Sequence, residues 1–123
     1  MKVVMGQLNT FVGDIKGNTE KVIQVSRETD TAGQDTLIVF PELTLTGYPP
    51  EDLLMRDSLQ AQIEDALTRL ASEIPSHLYV VVGYPKRCDG RLFNAAGVLH
   101  GGQMVGEYLS LIHISEPTRL DGI

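Results

Sequence analysis

Glu42 stands first among the residues whose type and setting could support chemistry. In "LIVFPELTLTGYPPEDLL", residues 37–54, it follows an apolar run and Pro41 and comes five residues before a Gly-Tyr-Pro-Pro loop. A carboxylate held partly out of water is a useful general base near neutrality. Leu43 and Leu45 keep the next turn apolar, so partial desolvation of Glu42 is expected; the other reading is a solvated loop glutamate. Tyr48 either lines a substrate pocket or packs over the Pro49-Pro50 loop. Asn94 follows Phe93 in a strand-like run, where a polar side chain needs a partner; it either tethers the loop that carries the chemistry or satisfies a backbone group. Cys88 is the single thiol and neighbours Asp89. Its surroundings, "YPKRCDGRL", read as a hairpin with an Asp-Gly corner, so an incidental surface thiol is expected there. His77, His100 and His113 lie far apart without ligand spacing, and no metal site is expected.

These residues need a scaffold, and the pattern supplies one. Residues 3–5 read as a short apolar strand, followed by a loop with turn residues at Gly13, Asp14 and Gly17. Asn18 reads as the N-cap of a helix that runs to about Thr31, with Val22, Ile23 and Val25 as its apolar stripe. Residues 37–40 read as a strand buried on both faces, closed by Pro41, which cannot donate to a central ladder. Strand, helix, strand in this order is a βαβ unit with parallel strands, whose ligands gather at the carboxyl ends. Leu53, Leu54, Leu59, Ile63, Ala66, Leu67, Leu70 and Ala71 recur at near-helical spacing up to Pro75. A third strand over 78–85, a fourth over 92–100 and a fifth over 103–109 follow, with turns at Asp89-Gly90 and Gly101-Gly102. The sum is an α/β layered domain of two helices and five strands, parallel first and then a meander.

Composition narrows the function. The 123 residues are 42% apolar and 21% charged, in the range of a globular chain about one domain long. A net charge of −6 with no cluster of Lys and Arg argues against nucleic acid. The apolar stretch before Gly6 is too short for a signal peptide, no run approaches a membrane span, and a cytoplasmic location without a membrane partner is the default expectation.

The run "VFPELTLTGYPPEDLL" resembles the first catalytic segment of the nitrilase, or carbon-nitrogen hydrolase, superfamily. "GYPPEDLL", "GQLNTFVGDIKGN" and "GYPKRCDGRLFNAAGVLHGGQMVGEY" are similar to the amino-terminal glutaminase domain of the glutamine-dependent NAD(+) synthetases. The resemblance implies the N-terminal part of an αββα four-layer sandwich. It also implies a Glu, Lys and Cys triad that hydrolyses the glutamine amide, with Glu42 as the base. The lysine normally follows a Tyr-x-Lys pattern, where this sequence has Tyr108, Leu109 and Ser110, and the nucleophilic cysteine lies further downstream in the family. The implied partners are glutamine, a synthetase domain of the same chain and, in the intact enzyme, further copies of itself. ATP and Mg2+ belong to that synthetase domain, and no cofactor is expected in the present stretch, which alone is expected to be inactive. The alternatives are another amidase or carbamoylase of the superfamily and a non-catalytic α/β module in which Glu42 caps a loop.

Residues 109–123, "LSLIHISEPTRLDGI", start like a strand but lose their pattern at Ser115, Glu116 and Pro117. Residues 109–119 resemble, position for position, the translation of a transposase adaptor used in preparing sequencing libraries. The expected division is a partial carbon-nitrogen hydrolase domain over 1–108 and a non-native tail over 109–123.

Overall fold

The computed structural model describes residues 1–29, 31–48, 54 and 56–112. Strand β1 (Lys2–Met5), helix α1 (Ile15–Glu28), strand β2 (Thr36–Val39), helix α2 (Asp57–Glu73) and strand β3 (Tyr79–Cys88) come in turn, then β4 (Arg91–His100) and β5 (Gln103–Leu111). They form one five-stranded sheet in the order β1-β2-β3-β4-β5. The first three strands are parallel and the last three antiparallel, the arrangement that the sequence pattern implies. The hairpin corners follow from residue type: Asp89 and Gly90 take φ of 53° and 77°, and Gly101 and Gly102 take 64° and 82°. Two successive positive φ values give the turn whose twist matches that of the sheet.

Helix α1 begins earlier than its sequence suggests. Asp14 is the N-cap, its carboxylate accepting from the Gly17 N–H at 3.1 Å. Asn18 lies inside the helix and is fully buried, so it is not the cap; a tertiary partner described below has claimed its side chain. The helix ends at Glu28 rather than near Thr31, because Thr29 is extended. Helix α2 starts at Asp57, an acidic first-turn residue that suits the positive end of the helix dipole. It stops where Ile74 becomes extended before Pro75. Leu53 lies outside the described residues.

Strand β3 passes through Pro85 and reaches Cys88, beyond the end the sequence suggests. The proline is tolerated because β2 pairs with β3 only as far as Val39 and Val81, so at Pro85 that side of β3 is an edge. Gln60 on α2 covers this edge, donating to the Pro85 carbonyl at 3.4 Å and accepting from the Arg87 N–H at 3.3 Å.

Both helices cover one face of the sheet. Ile38, Val80, Val82, Tyr84 and Leu99 pack there in one cluster with Val22, Ile23, Ile63 and Leu70. Each fully buried aliphatic side chain contributes about 1.5–3 kcal/mol relative to exposure. β2 is therefore buried on its helix side, while Leu37 and Val39 are half-buried on the other, so burial on both faces is not met among the described residues. Cross-strand register places Val3, Leu37 and Tyr79 in one row and Met5, Val39, Val81 and Val98 in the next, all on the face away from the helices. Val3 and Met5 are 59% and 69% exposed, so among the described residues this second apolar face has no cover at its β1 side.

Candidate functional site

The chain leaves β2 on the Phe40 N–H, which donates to the Val81 carbonyl at 2.9 Å, and returns to the sheet at Leu45, whose N–H donates to the Gly83 carbonyl at 3.1 Å. Between these anchors the turn carrying Glu42 lies directly on β3. A Cβ placed on Gly83 would come within 2.6 Å of the Leu43 nitrogen and 3.0 Å of the Pro41 oxygen, so only glycine lets the two backbones approach this closely. Leu43 takes φ of 53°, a left-handed conformation that costs a non-glycine residue about 1–2 kcal/mol. The surrounding bonds hold it: Thr46 and Gly47 N–H groups donate to the Leu43 carbonyl at 3.3 and 2.8 Å, and the Thr44 hydroxyl donates to the Pro41 carbonyl.

This turn sends Leu43 and Leu45 into the core and leaves Glu42 on the surface. The expectation of a partly desolvated carboxylate is therefore not met: its apolar neighbours point the other way. What Glu42 has instead is a partner. The Asn94 side-chain amide on β4 donates to Glu42 Oε1 at 2.8 Å. Of the two roles open to Asn94, the structure places it on the loop carboxylate. Asn94 pairs with Pro85 on one side and Ser110 on the other, so all three share the face away from the helices.

An open crevice of about 510 Å³ lies beside the turn, lined by Gln7, Leu8, Asn9 and Pro41. It forms at the carboxyl ends of β1 and β2, where open α/β sheets receive ligands. Two polar residues, Gln7 and Asn9, thus line a crevice that reaches Pro41, the residue before Glu42, and sequence reading did not single them out. The signal was available in the parallel register, since Gly6 N–H donates to the Val39 carbonyl at 2.8 Å and carries β1 out beside β2. Asn18 was also missed as a site-building residue. Its side chain accepts from the Phe11 N–H at 2.9 Å and donates to the Phe11 carbonyl at 2.9 Å and the Leu45 carbonyl at 3.0 Å. The loop after β1 is thereby tied to the turn after β2, and the Gly13 N–H adds a bond to the Thr46 carbonyl at 2.9 Å.

The other candidates fall elsewhere. Tyr48 is 69% exposed, and Pro49 and Pro50 lie outside the described residues. Cys88 is half-buried at the hairpin end of β3 with its sulfur 3.9 Å from an Asp89 carboxylate oxygen, and it pairs with Arg91. That is three residues along β3 from Pro85, or about 10 Å at the rise of a strand, which keeps the thiol away from Asn94 and Glu42. His100 stacks on Tyr79 with ring centroids 3.8 Å apart, His77 is exposed, and His113 lies outside the described residues. Among the described residues no group of three or more His, Cys, Asp or Glu could hold a metal, and no helix is long and apolar enough to cross a membrane.

A second polar group sits on the helix side. The Tyr84 hydroxyl donates to Glu107, and Lys86 Nζ donates to the other oxygen of that carboxylate at 2.6 Å. Burial, reinforced by Glu107, raises the Tyr84 phenol well above its usual range and keeps it neutral. Burial alone would raise Glu107, but the bonds from Lys86 and Tyr84 outweigh it and hold the carboxyl below the ordinary value. These bonds tie β3 to β5 on the helix side of the sheet.

A family model described as carbon-nitrogen hydrolase matches residues 2–121. The chain is 34% identical over 108 residues to the glutamine-dependent NAD(+) synthetase of Xanthomonas campestris, which covers 88% of this chain and 19% of that protein. It is 43% identical over 99 residues to the enzyme of the same name from Mycobacterium tuberculosis H37Rv, covering 80% of this chain and 14% of that one. The solved glutamine-dependent NAD+ synthetase of Acinetobacter baumannii, in complex with ADP, superposes with a TM-score of 0.77 at 32% identity, over 88% of this chain and 20% of its own. The chain therefore spans about a fifth of the length of the relatives it matches. Its helix layer and five-stranded sheet correspond to the first part of the αββα sandwich.

Proposed function

Because the chain belongs to the carbon-nitrogen hydrolase family, we propose that it is the amino-terminal part of a glutaminase domain that releases ammonia from glutamine for the amidation of deamido-NAD. The observation that carries this reading is a carboxylate held at the carboxyl end of β2, on a turn pinned against β3 and beside an open polar crevice. In the proposed reaction a cysteine from further along the full-length protein attacks the amide carbon, and Glu42 takes the thiol proton. Glu42 returns that proton to the departing nitrogen as ammonia leaves, and water then cleaves the thioester to glutamate. A neighbouring cation makes the thiolate more accessible. The register supports a place for it: the Tyr-x-Lys lysine position is occupied by Ser110, which lies directly across from Asn94, the partner of Glu42. Exposed Tyr48, six residues after Glu42, is proposed to cover the bound amide from the loop side.

The proposed partners are glutamine and a synthetase domain of the same full-length chain, acting in the cytoplasm, with the intact enzyme as a homo-oligomer. ATP and Mg2+ would serve that other domain; the acidic residues described here form no site for a metal, and no step of the hydrolysis passes through these groups. The test is to supply the full-length protein with deamido-NAD, ATP and either glutamine or simpler amides. Glutamine-driven NAD formation is the expected result. Hydrolysis of other amides without NAD formation would transfer the chain to a stand-alone amidase or carbamoylase. The 123-residue chain by itself should release no more glutamate than its Cys88→Ser variant, since its one thiol lies far from Glu42.

The same reading divides the chain at Tyr108, with 109–123 foreign to the domain. The matched relatives align over 99 to 109 of the 123 residues, which leaves room for such a tail, while the family match to residue 121 and the continuation of β5 to Leu111 weigh against it. Raw sequencing reads across the codons for Tyr108 and Leu109 decide the matter: a native continuation with a lysine near position 110 is expected, and uniform support for the present sequence would overturn it.

A further inference from the structure

We propose that Asn94 is a positioning residue for Glu42, whose amide aims the base at the substrate; this rests on the reading of Glu42 as the base. The backbone of Glu42 is fixed by the turn on Gly83, but its side chain is long and exposed, and among the described residues the hydrogen bond that orients its carboxylate comes from outside the turn. The Asn94 amide does so, donating to Oε1 at 2.8 Å from a strand 52 residues away in sequence. The rest of that side chain shows what the contact costs. Asn94 Oδ1 is buried and, among the described residues, has no hydrogen-bond partner. A buried acceptor left unpaired destabilises the fold, and asparagine is poorly suited to a strand interior. Turning the amide over would not relieve this, because it would set oxygen against the Glu42 carboxylate. If Asn94 served the fold alone, an apolar residue of the same size would serve it better. The arrangement is explained by the one group that Asn94 does satisfy, and that group is the base.

The test uses the full-length protein and the Asn94→Leu variant, near in size and without the donor. Glutamine kcat should fall about tenfold or more, the scale of losing the orientation of a general base, with KM for glutamine changed by less than about twofold. NAD formation from free ammonia should be retained, and the thermal midpoint should be unchanged or higher, since the orphaned oxygen is gone. In the Glu42→Gln background the Asn94→Leu change should add little further loss, because the two residues act as a unit. Near-normal glutamine kcat, a loss that multiplies with that of Glu42→Gln, or a lowered midpoint with ammonia-driven synthesis lost in parallel would each overturn the proposal. If the unaltered protein hydrolyses no glutamine, or Glu42→Gln alone retains full turnover, the functional reading itself has failed, and Asn94 has no base to position.

Discussion

Gly83→Ala is the substitution whose effect can be worked most directly from the structure. The added Cβ would lie 2.6 Å from the Leu43 nitrogen, 3.0 Å from the Pro41 oxygen and 3.1 Å from the Glu42 carbonyl carbon. All three are backbone atoms, so no side chain can swing aside. Restoring ordinary contact near 3.4 Å requires the turn to lift by about 0.8 Å. Overpacking of this kind costs about 1–3 kcal/mol. The cost falls on the bonds that seat the turn, from the Leu45 N–H to the Gly83 carbonyl and from the Gly47 N–H to the Leu43 carbonyl. If about 2 kcal/mol is lost locally, the Leu45 and Gly47 amides exchange with solvent about thirtyfold faster, which hydrogen exchange resolved by residue can read. Lifting the base by nearly an ångström should also lower glutamine turnover by about tenfold to a hundredfold in the full-length protein. Ammonia-driven synthesis should not change. Unaltered exchange at both amides together with normal turnover would refute the claim that the close approach at Gly83 positions Glu42.

Asn18→Ala should cost about 2–4 kcal/mol in denaturant unfolding, because it strands the Phe11 N–H and the Phe11 and Leu45 carbonyls together. A loss below about 0.5 kcal/mol would show that the two loops are tied by something else. Glu107→Gln tests the helix-side group through pH. The folded carboxyl titrates below its ordinary value, so its contribution is complete above the unfolded value near 4.5 and is lost as pH falls through the lower folded value. The variant should be the less stable protein at neutral pH and should lose less stability on acidification through that window. Parallel stability curves for the two proteins would sink this assignment.

Which parts of this architecture were legible in the sequence follows from how locally each is determined. The Asp89-Gly90 and Gly101-Gly102 corners were legible because two residues suffice to make each turn. The strand that delivers Glu42 was legible from a short apolar run closed by Pro41. Asn18 was misread as a cap because its residue type suits one, and its different use depends on Phe11 and the distant Leu45 carbonyl, which only the folded chain brings to it. The exposure of Glu42 was hidden because Leu43 adopts a left-handed conformation that its side chain does not advertise. Asn94 could be recognised as needing a partner, but its choice of Glu42 depends on how β4 lies against β3 and on the loop crossing Gly83, neither of which is a local property.

The central claim is that Glu42 is the base of an amide hydrolysis feeding a separate synthetase step, and Glu42→Gln in the full-length protein tests it most directly. The substitution keeps shape and hydrogen bonding but removes the capacity to take a proton. NAD formation should be measured side by side with glutamine and with free ammonia as nitrogen donor. Glutamine-driven formation should fall by about a hundredfold or more while ammonia-driven formation stays at the level of the unaltered protein. Equal loss with both donors would assign Glu42 to the fold, and undiminished glutamine turnover would contradict the account.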